Sequence, residues 1–342
     1  MKKMNAETTD NKTFTAKENF KAALSRKPIQ WLPNKNDYIA FSPRILPENA
    51  ARLLVNEEVT IGAGEQRSGK DMFGVEWTYV PEAMGATVKP GDPFLKDIFE
   101  WKEKIVWPDI ETWDWEASVK NNQHFFKEHS DKFICITILS SFFERLVSFL
   151  DFENACIALI LEEEKEEVHA LFERLCELYE AIILKLKLSY SPDMIELHDD
   201  WGSQRSPFFS LETCREMITP YLKRMVDFCH KHGMYFQLHS CGSNEALIPA
   251  MIEAGVDLWV PQFDANNLYE IRQKYGDRLT VAARKMLIPD MAVENVFETM
   301  DEFFENIHTS LKEKPILFLD AFPSKETEAY FHNKFYSCCQ MD

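Results

Sequence analysis

From Asp131 onward the chain alternates short apolar, β-rich runs with amphipathic helical stretches, and this alternation restricts the fold more than any other feature. The runs "KFICITIL", "MIELHDDWG", "YFQLHSC", "VDLWVPQ", "LTVAARK" and "PILFLDAF" read as strands. Between them lie helices such as "EEEKEEVHALFERLCELYEAIILKLKL", whose Val168, Leu171, Phe172, Leu175, Leu178, Tyr179, Ile182 and Leu186 form one apolar stripe. Its acidic start and late lysines match the helix dipole, so that charge run reads as a solvated helix face. Strand and helix in turn, joined by short connections, give a parallel sheet covered by helices.

With a first strand begun by "IQWLP" and running towards Asp37, seven strands are countable. No G-x-G-x-x-G or G-x-x-x-x-G-K-[ST] turn follows any of them, which disfavours an open nucleotide-binding sheet. The expectation is an α/β fold, a TIM (β/α)8 barrel with an N-terminal helical and hairpin excursion. Residues 1–130 would hold the polar N-terminus, the helix "TAKENFKAALSRKP", the first barrel strand and a Gly-rich hairpin region around "MFGVEWTYV". Residues 131–342 would complete the barrel, within one structural domain. The helix "SLETCREMITPYLKRMVDFCHKHG" should start at Ser210, kink at Pro220 and stop at Gly233.

Composition excludes several roles. A formal net charge of -18, with 56 acidic against 38 basic residues, opposes binding to a phosphate backbone, so no nucleic-acid partner is expected. The N-terminus lacks a signal-peptide pattern and the longest apolar runs fall short of a membrane span, which points to a cytoplasmic chain without membrane association. The eight cysteines show no C-x-x-C spacing and read as reduced thiols.

Polar residues recur at the strand ends: Asp37, Asp199 with Asp200, His239 with Cys241, Gln262, Arg284 with Lys285, and Asp320. One such residue means little, because turns select Asp and Asn; six strand ends together suggest a shared polar cavity at the C-terminal rim. In "YFQLHSC" the side chains alternate, so Tyr235, Gln237, His239 and Cys241 share the inward face while Phe236 and Leu238 meet the helices. An i, i+2 pair brings imidazole and thiolate close enough for one Zn²⁺, although a hydrogen-bonded rim histidine beside a small turn residue is the plainer alternative. Of Asp199 and Asp200 only one should point into the cavity, the other capping a helix or loop. Glu196 and His198 share a face with Asp200 and need buried partners; His198 is a further, weaker ligand candidate. His230 and His232 close a helix and carry no catalytic role.

The run from "DMIELHDDWGSQ" through "HKHGMYFQLHSCGSNEALIPAMIEAGVDLWVPQFD" to "LYEIRQKYGDRLTV" resembles the uroporphyrinogen decarboxylase superfamily, in its cobalamin-dependent methyltransferase branch. "ENFKAALSRKPIQWLP", "FGVEW" and "WPDIETWDWE" are similar to that branch as well. The resemblance implies a TIM barrel and a zinc-assisted transfer of methyl between a small methylated ether, amine or thiol and the cobalt of cobalamin carried by a separate corrinoid protein. It also implies that an H-x-C pair, here His239 and Cys241, binds Zn²⁺ with a later cysteine. At the matching place "FLDAFPSKE" has no cysteine, which leaves Asp320 as an oxygen ligand, Cys338 or Cys339 folded in, or a site without zinc. In this reading Asp199, Asp200 and Gln204 orient substrate or relay a proton, Trp201 walls the pocket, and Asp37 and Gln262 contact substrate. "WLPNKNDYIAFSPRI" has only Arg44 where true uroporphyrinogen decarboxylases grip porphyrin carboxylates with arginines, and the rim is acidic, which disfavours a polyanionic tetrapyrrole. The alternatives are a metal-independent decarboxylase or lyase on the same barrel, and a non-catalytic binding barrel.

Overall fold

A computed structural model describes residues 13–59, 68–80, 85–284, 286–287 and 291–338. Ten strands are formed among them: β1 Tyr38–Phe41, β2 Ser68–Lys70, β3 Glu76–Val80, β4 Gly85–Val88, β5 Phe133–Ile138, β6 Met194–His198, β7 Tyr235–Ser240, β8 Leu258–Pro261, β9 Thr280–Ala283 and β10 Ile316–Phe318. Seven of them make one sheet in the order β1-β5-β6-β7-β8-β9-β10, every neighbouring pair parallel. A parallel bridge between Asn34 and Phe318 joins β10 to the segment leading into β1, so the sheet returns on itself. This is the TIM-barrel arrangement with seven full strands among the described residues: six ladders join them, and that short bridge is the seventh contact.

Two apolar layers follow from strand parity. Tyr38, Phe133, Cys135, Met194, Leu258, Val260, Ala282, Leu317 and Leu319 pack together inside the barrel. Phe236, Leu238, Ile195 and Leu197 join the outer core beneath the helices. The long helix Glu162–Tyr190 buries all eight residues of its expected stripe. Helix Ala16–Leu24 begins at a Thr15–Glu18 capping box and stacks Phe20 on Phe133 at 4.3 Å. Lys17 and Lys21 both pair with Asp193, at the entry to β6, so this helix covers the N-terminal end of the barrel.

The excursion is a three-stranded antiparallel sheet, β2-β3-β4. It is tied to helix Phe142–Leu150 by Arg145, a fully buried guanidinium that pairs with Glu48 and Asp71 and lies over the Phe73 ring. Two expectations change. The first strand does not run towards Asp37 but starts after it, behind a 3-10 turn over Lys35–Asp37. At Pro220 the chain breaks into two helices, Leu211–Met217 and Thr219–Lys231, because proline suits a helix start and cannot donate inside one. The final helix runs Lys325–Cys338, so the C-terminal segment is ordered to Cys338. Among the described residues no helix is long and apolar enough to cross a membrane.

Candidate active site

Strands β6 and β7 lie in register, with Glu196 opposite Gln237 and His198 opposite His239. Each residue pair therefore projects to the same side, and two polar ladders climb the inner wall towards the C-terminal rim. At the lower rung Gln237 donates to Glu196, and Tyr38 donates to Gln237. At the upper rung the His198 and His239 rings lie 4.5 Å apart. His239 Nε2 is 3.3 Å from Cys241 Sγ. His198, Asp200 and His239 each offer a ligand atom within 4.8 Å of the others, all three half-buried.

The turns above the rungs are locked backbone to backbone. Gly242 has φ +88°, and a Cβ there would enter the Gly202 main chain, so glycine is needed for both reasons. Ser243 N donates to Ser203 O at 2.8 Å, Gln262 accepts from Gly242 N at 2.9 Å, and Cys241 N donates to Asp200 Oδ1 at 2.7 Å. The fully buried Asn244 donates to Ser240 Oγ and to Cys241 O. These bonds fix Cys241 beside the histidines.

A second layer orients His198. Its Nδ1 lies 3.0 Å from Glu144 Oε2, and Arg52 clamps the other carboxylate oxygen at 3.1 Å. Burial alone would raise Glu144, but Arg52 and His198 hold it well below the usual carboxylate range. For His198 burial works downward, yet the Glu144 and Asp200 carboxylates prevail and raise it above its ordinary value. With an Nδ1 proton shared with Glu144, Nε2 is the ring nitrogen left to face a ligand.

The expected residues separate into those the fold brings together and those it does not. His239, Cys241 and Asp200 meet at the rim, and Gln262 adjoins them by holding Gly242. Asp199 turns away: fully buried, it accepts from Phe143 N, Glu144 N and Trp201 Nε1. Burial and then the Glu144 charge push it up to about 7 against those three donors. It caps helix Phe142–Leu150, so the adjacent aspartates divide their work as strand alternation requires. Trp201 is 1% exposed and packs in the outer core near Phe209, so it does not wall the pocket. Gln204 is exposed on the loop beyond Gly202.

Asp37 sits at the N-terminal end of β1, where it accepts from Trp31 Nε1 and Asn34 N; it is a turn residue rather than a rim contact. Asp320 follows β10 and accepts from the Met286 and Leu287 amides, outside the ligand cluster. Cys338 is exposed on the last helix, and Cys339 and Lys285 lie outside the described residues. The sequence reading missed Glu144 and Arg52. Glu144 stands just past the end of β5, a place where rim residues are expected, but its helix gives no polar signal of its own.

Taken together, fold and site define a TIM barrel with a nitrogen, oxygen and sulfur donor cluster at the C-terminal ends of adjacent strands. The family model for uroporphyrinogen decarboxylase (URO-D) matches residues 71–282, more than half of the chain, and the chain belongs to that family. The fold is similar to that of a methyltransferase from Methanosarcina mazei, with TM-score 0.62 and 14% identity over 95% of this chain and 100% of that one. A D-allulose 3-epimerase from Methylomonas sp. is more distant, with TM-score 0.37 and 11% identity over 66% of this chain and 78% of that one. A sugar phosphate isomerase/epimerase from Parabacteroides distasonis gives TM-score 0.34 and 11% identity over 64% and 77%. The comparison with curated proteins found no match.

Proposed function

We propose that the chain is a methyltransferase that moves a methyl group between a small methylated substrate and the cobalt of a corrinoid protein, with zinc held by His198, Asp200 and His239 and with Cys241 beside them. The observation that carries this reading is the convergence of the three donors, the Cys241 sulfur 3.3 Å from His239 Nε2, on the barrel rim. Two imidazoles, a carboxylate and a thiolate suit Zn²⁺, which takes four such ligands or three and an open position. A bound Zn²⁺ would supply Lewis acidity at the heteroatom that carries the methyl group.

The chain's own residues do the rest. Glu144 and Arg52 orient His198, Asp200 holds the Cys241 main chain, and Gln262 with Asn244 keeps the turn from drifting. This ligand set differs from the expected His239, Cys241 and Asp320: His198 from β6 and Asp200 just after it enter, Asp320 from the turn after β10 drops out, and Cys241 stands beside the cluster. The membership in the URO-D family also keeps a proton-transferring decarboxylase in view, with Asp200 as its acid–base group.

The test is transfer of methyl from methyl ethers, amines and thiols to cob(I)alamin, generated with a chemical reductant and forming methylcob(III)alamin as the demethylated alcohol, amine or thiol leaves, followed in wild type and in His239→Ala. Transfer in the wild type, abolished in the variant while its circular dichroism stays native, is expected. Uroporphyrinogen supplied in parallel tests the other reading: carbon dioxide release from it, without methyl transfer from the methylated compounds, would establish the decarboxylase instead.

A further inference from the structure

The wall opposite the donor cluster carries unpaired positive charge. In the sheet, Ala283 pairs with Phe318 and Phe318 with Asn34, so Arg284, Leu319 and Lys35 come next along three adjacent chains. Leu319 lies in the barrel's inner core together with Ala282, two residues before Arg284 on the same face. Lys35 is half-buried, and its Nζ stands 5.3 Å from the ring centroid of Tyr38, another inner residue. Burial, and then the nearby Arg284 guanidinium, lower the Lys35 pKa, as expected of two cations brought together without a counter-ion. Among the described residues neither cation has a carboxylate within ion-pairing distance. Glu196 faces them across the interior but is held by Gln237.

In the order of the sheet, β6 and β7 lie across the barrel from the β9, β10 and β1 side. The barrel mouth is therefore polarised, with metal-type donors on one wall and the half-buried Lys35 and exposed Arg284 on the other. A half-buried cation crowded by a second one is costly without a counter-ion, and a ligand anion shared by both is the simplest way to offset that. Glu196, whose charge reaches Lys35 across the interior, favours a single negative charge over a doubly charged phosphate.

We propose that Lys35 and Arg284 form an anion subsite for the substrate, so that the methylated compound entering this barrel bears a carboxylate. The inference rests on the proposed methyltransferase reading for the word methylated, and on the cation geometry alone for the carboxylate.

Calorimetric binding to the full chain, as purified, tests it with matched pairs: methoxyacetate against 2-methoxyethanol, and 4-methoxybenzoate against 4-methoxybenzyl alcohol. In at least one pair the carboxylate should bind about ten-fold tighter or more than its alcohol, the discrimination expected of charge-assisted hydrogen bonds. Arg284→Gln, on an exposed side chain, and Lys35→Met should each erode that ratio, while Lys35→Arg keeps it. Equal or undetectable binding within both pairs would overturn the proposal. So would a carboxylate preference that persists in the Lys35→Met/Arg284→Gln double variant, which would place the anion on the donor cluster. A carboxylate preference in a protein without methyl-transfer activity would leave the subsite standing and remove the methyltransferase reading.

Discussion

The turn after β6 and the turn after β10 each present an aspartate at the end of a barrel strand, and the structure uses them differently. Asp200 remains beside two histidines, with one oxygen engaged by the Cys241 amide. Asp320 is drawn to the Met286 and Leu287 amides of the neighbouring turn. Backbone amides hold one oxygen of each carboxylate, and what separates the two is that Asp200 also lies beside His198 and His239. Asp199 repeats the lesson one residue from Asp200, its oxygens committed to the start of helix Phe142–Leu150.

Breaking the β6–β7 side should cost most where its two turns touch. Gly242→Ala combines a positive φ with a Cβ driven into Gly202, and a loss of about 3 kcal/mol is expected from strain and overpacking. Urea unfolding checks it; a loss near zero would mean that the turns separate easily and do not define the site. Next comes the orientation of His198. Glu144→Gln retains the shape but removes the charge that holds Nδ1, and zinc affinity should fall roughly 10- to 100-fold in a competition titration with a chelator. The Asp320→Asn change should leave that affinity unmoved.

The smallest effect concerns the buried Arg145 cluster behind the same wall. Burial raises Glu48 to about 7, only partly offset by Arg145. A folded-state value above the unfolded one means that its contribution is fully present below pH ~4.5 and lost as pH rises through about 7. Glu48→Gln should therefore flatten the fall in stability between those limits, measured as urea midpoints across pH; an unchanged slope would count against the assignment.

Much of the fold was legible because its signals are local. Six of the seven barrel strands fall within their expected runs, and parity correctly sends Phe236 and Leu238 outward. The first strand was displaced because "IQWLP" looks as β-like as "YIAF", and only the 3-10 turn at Lys35–Asp37 decides between them. The site was legible where residues lie on one strand, as His239 and Cys241 do. It was not legible where partners meet through the sheet: His198 gains weight only from its register with His239, and Glu144 and Arg52 only from packing. Asp37 and Asp320 looked like site residues because residue type does not reveal which amides will reach them.

The direct test of the central claim is metal content by mass spectrometry in protein purified without chelator, comparing wild type with His198→Ala and Asp320→Ala. One zinc per chain in the wild type and in Asp320→Ala, and its loss in His198→Ala, is the expected pattern. A wild-type chain without stoichiometric metal, or zinc that survives His198→Ala and leaves with Asp320, would contradict the account.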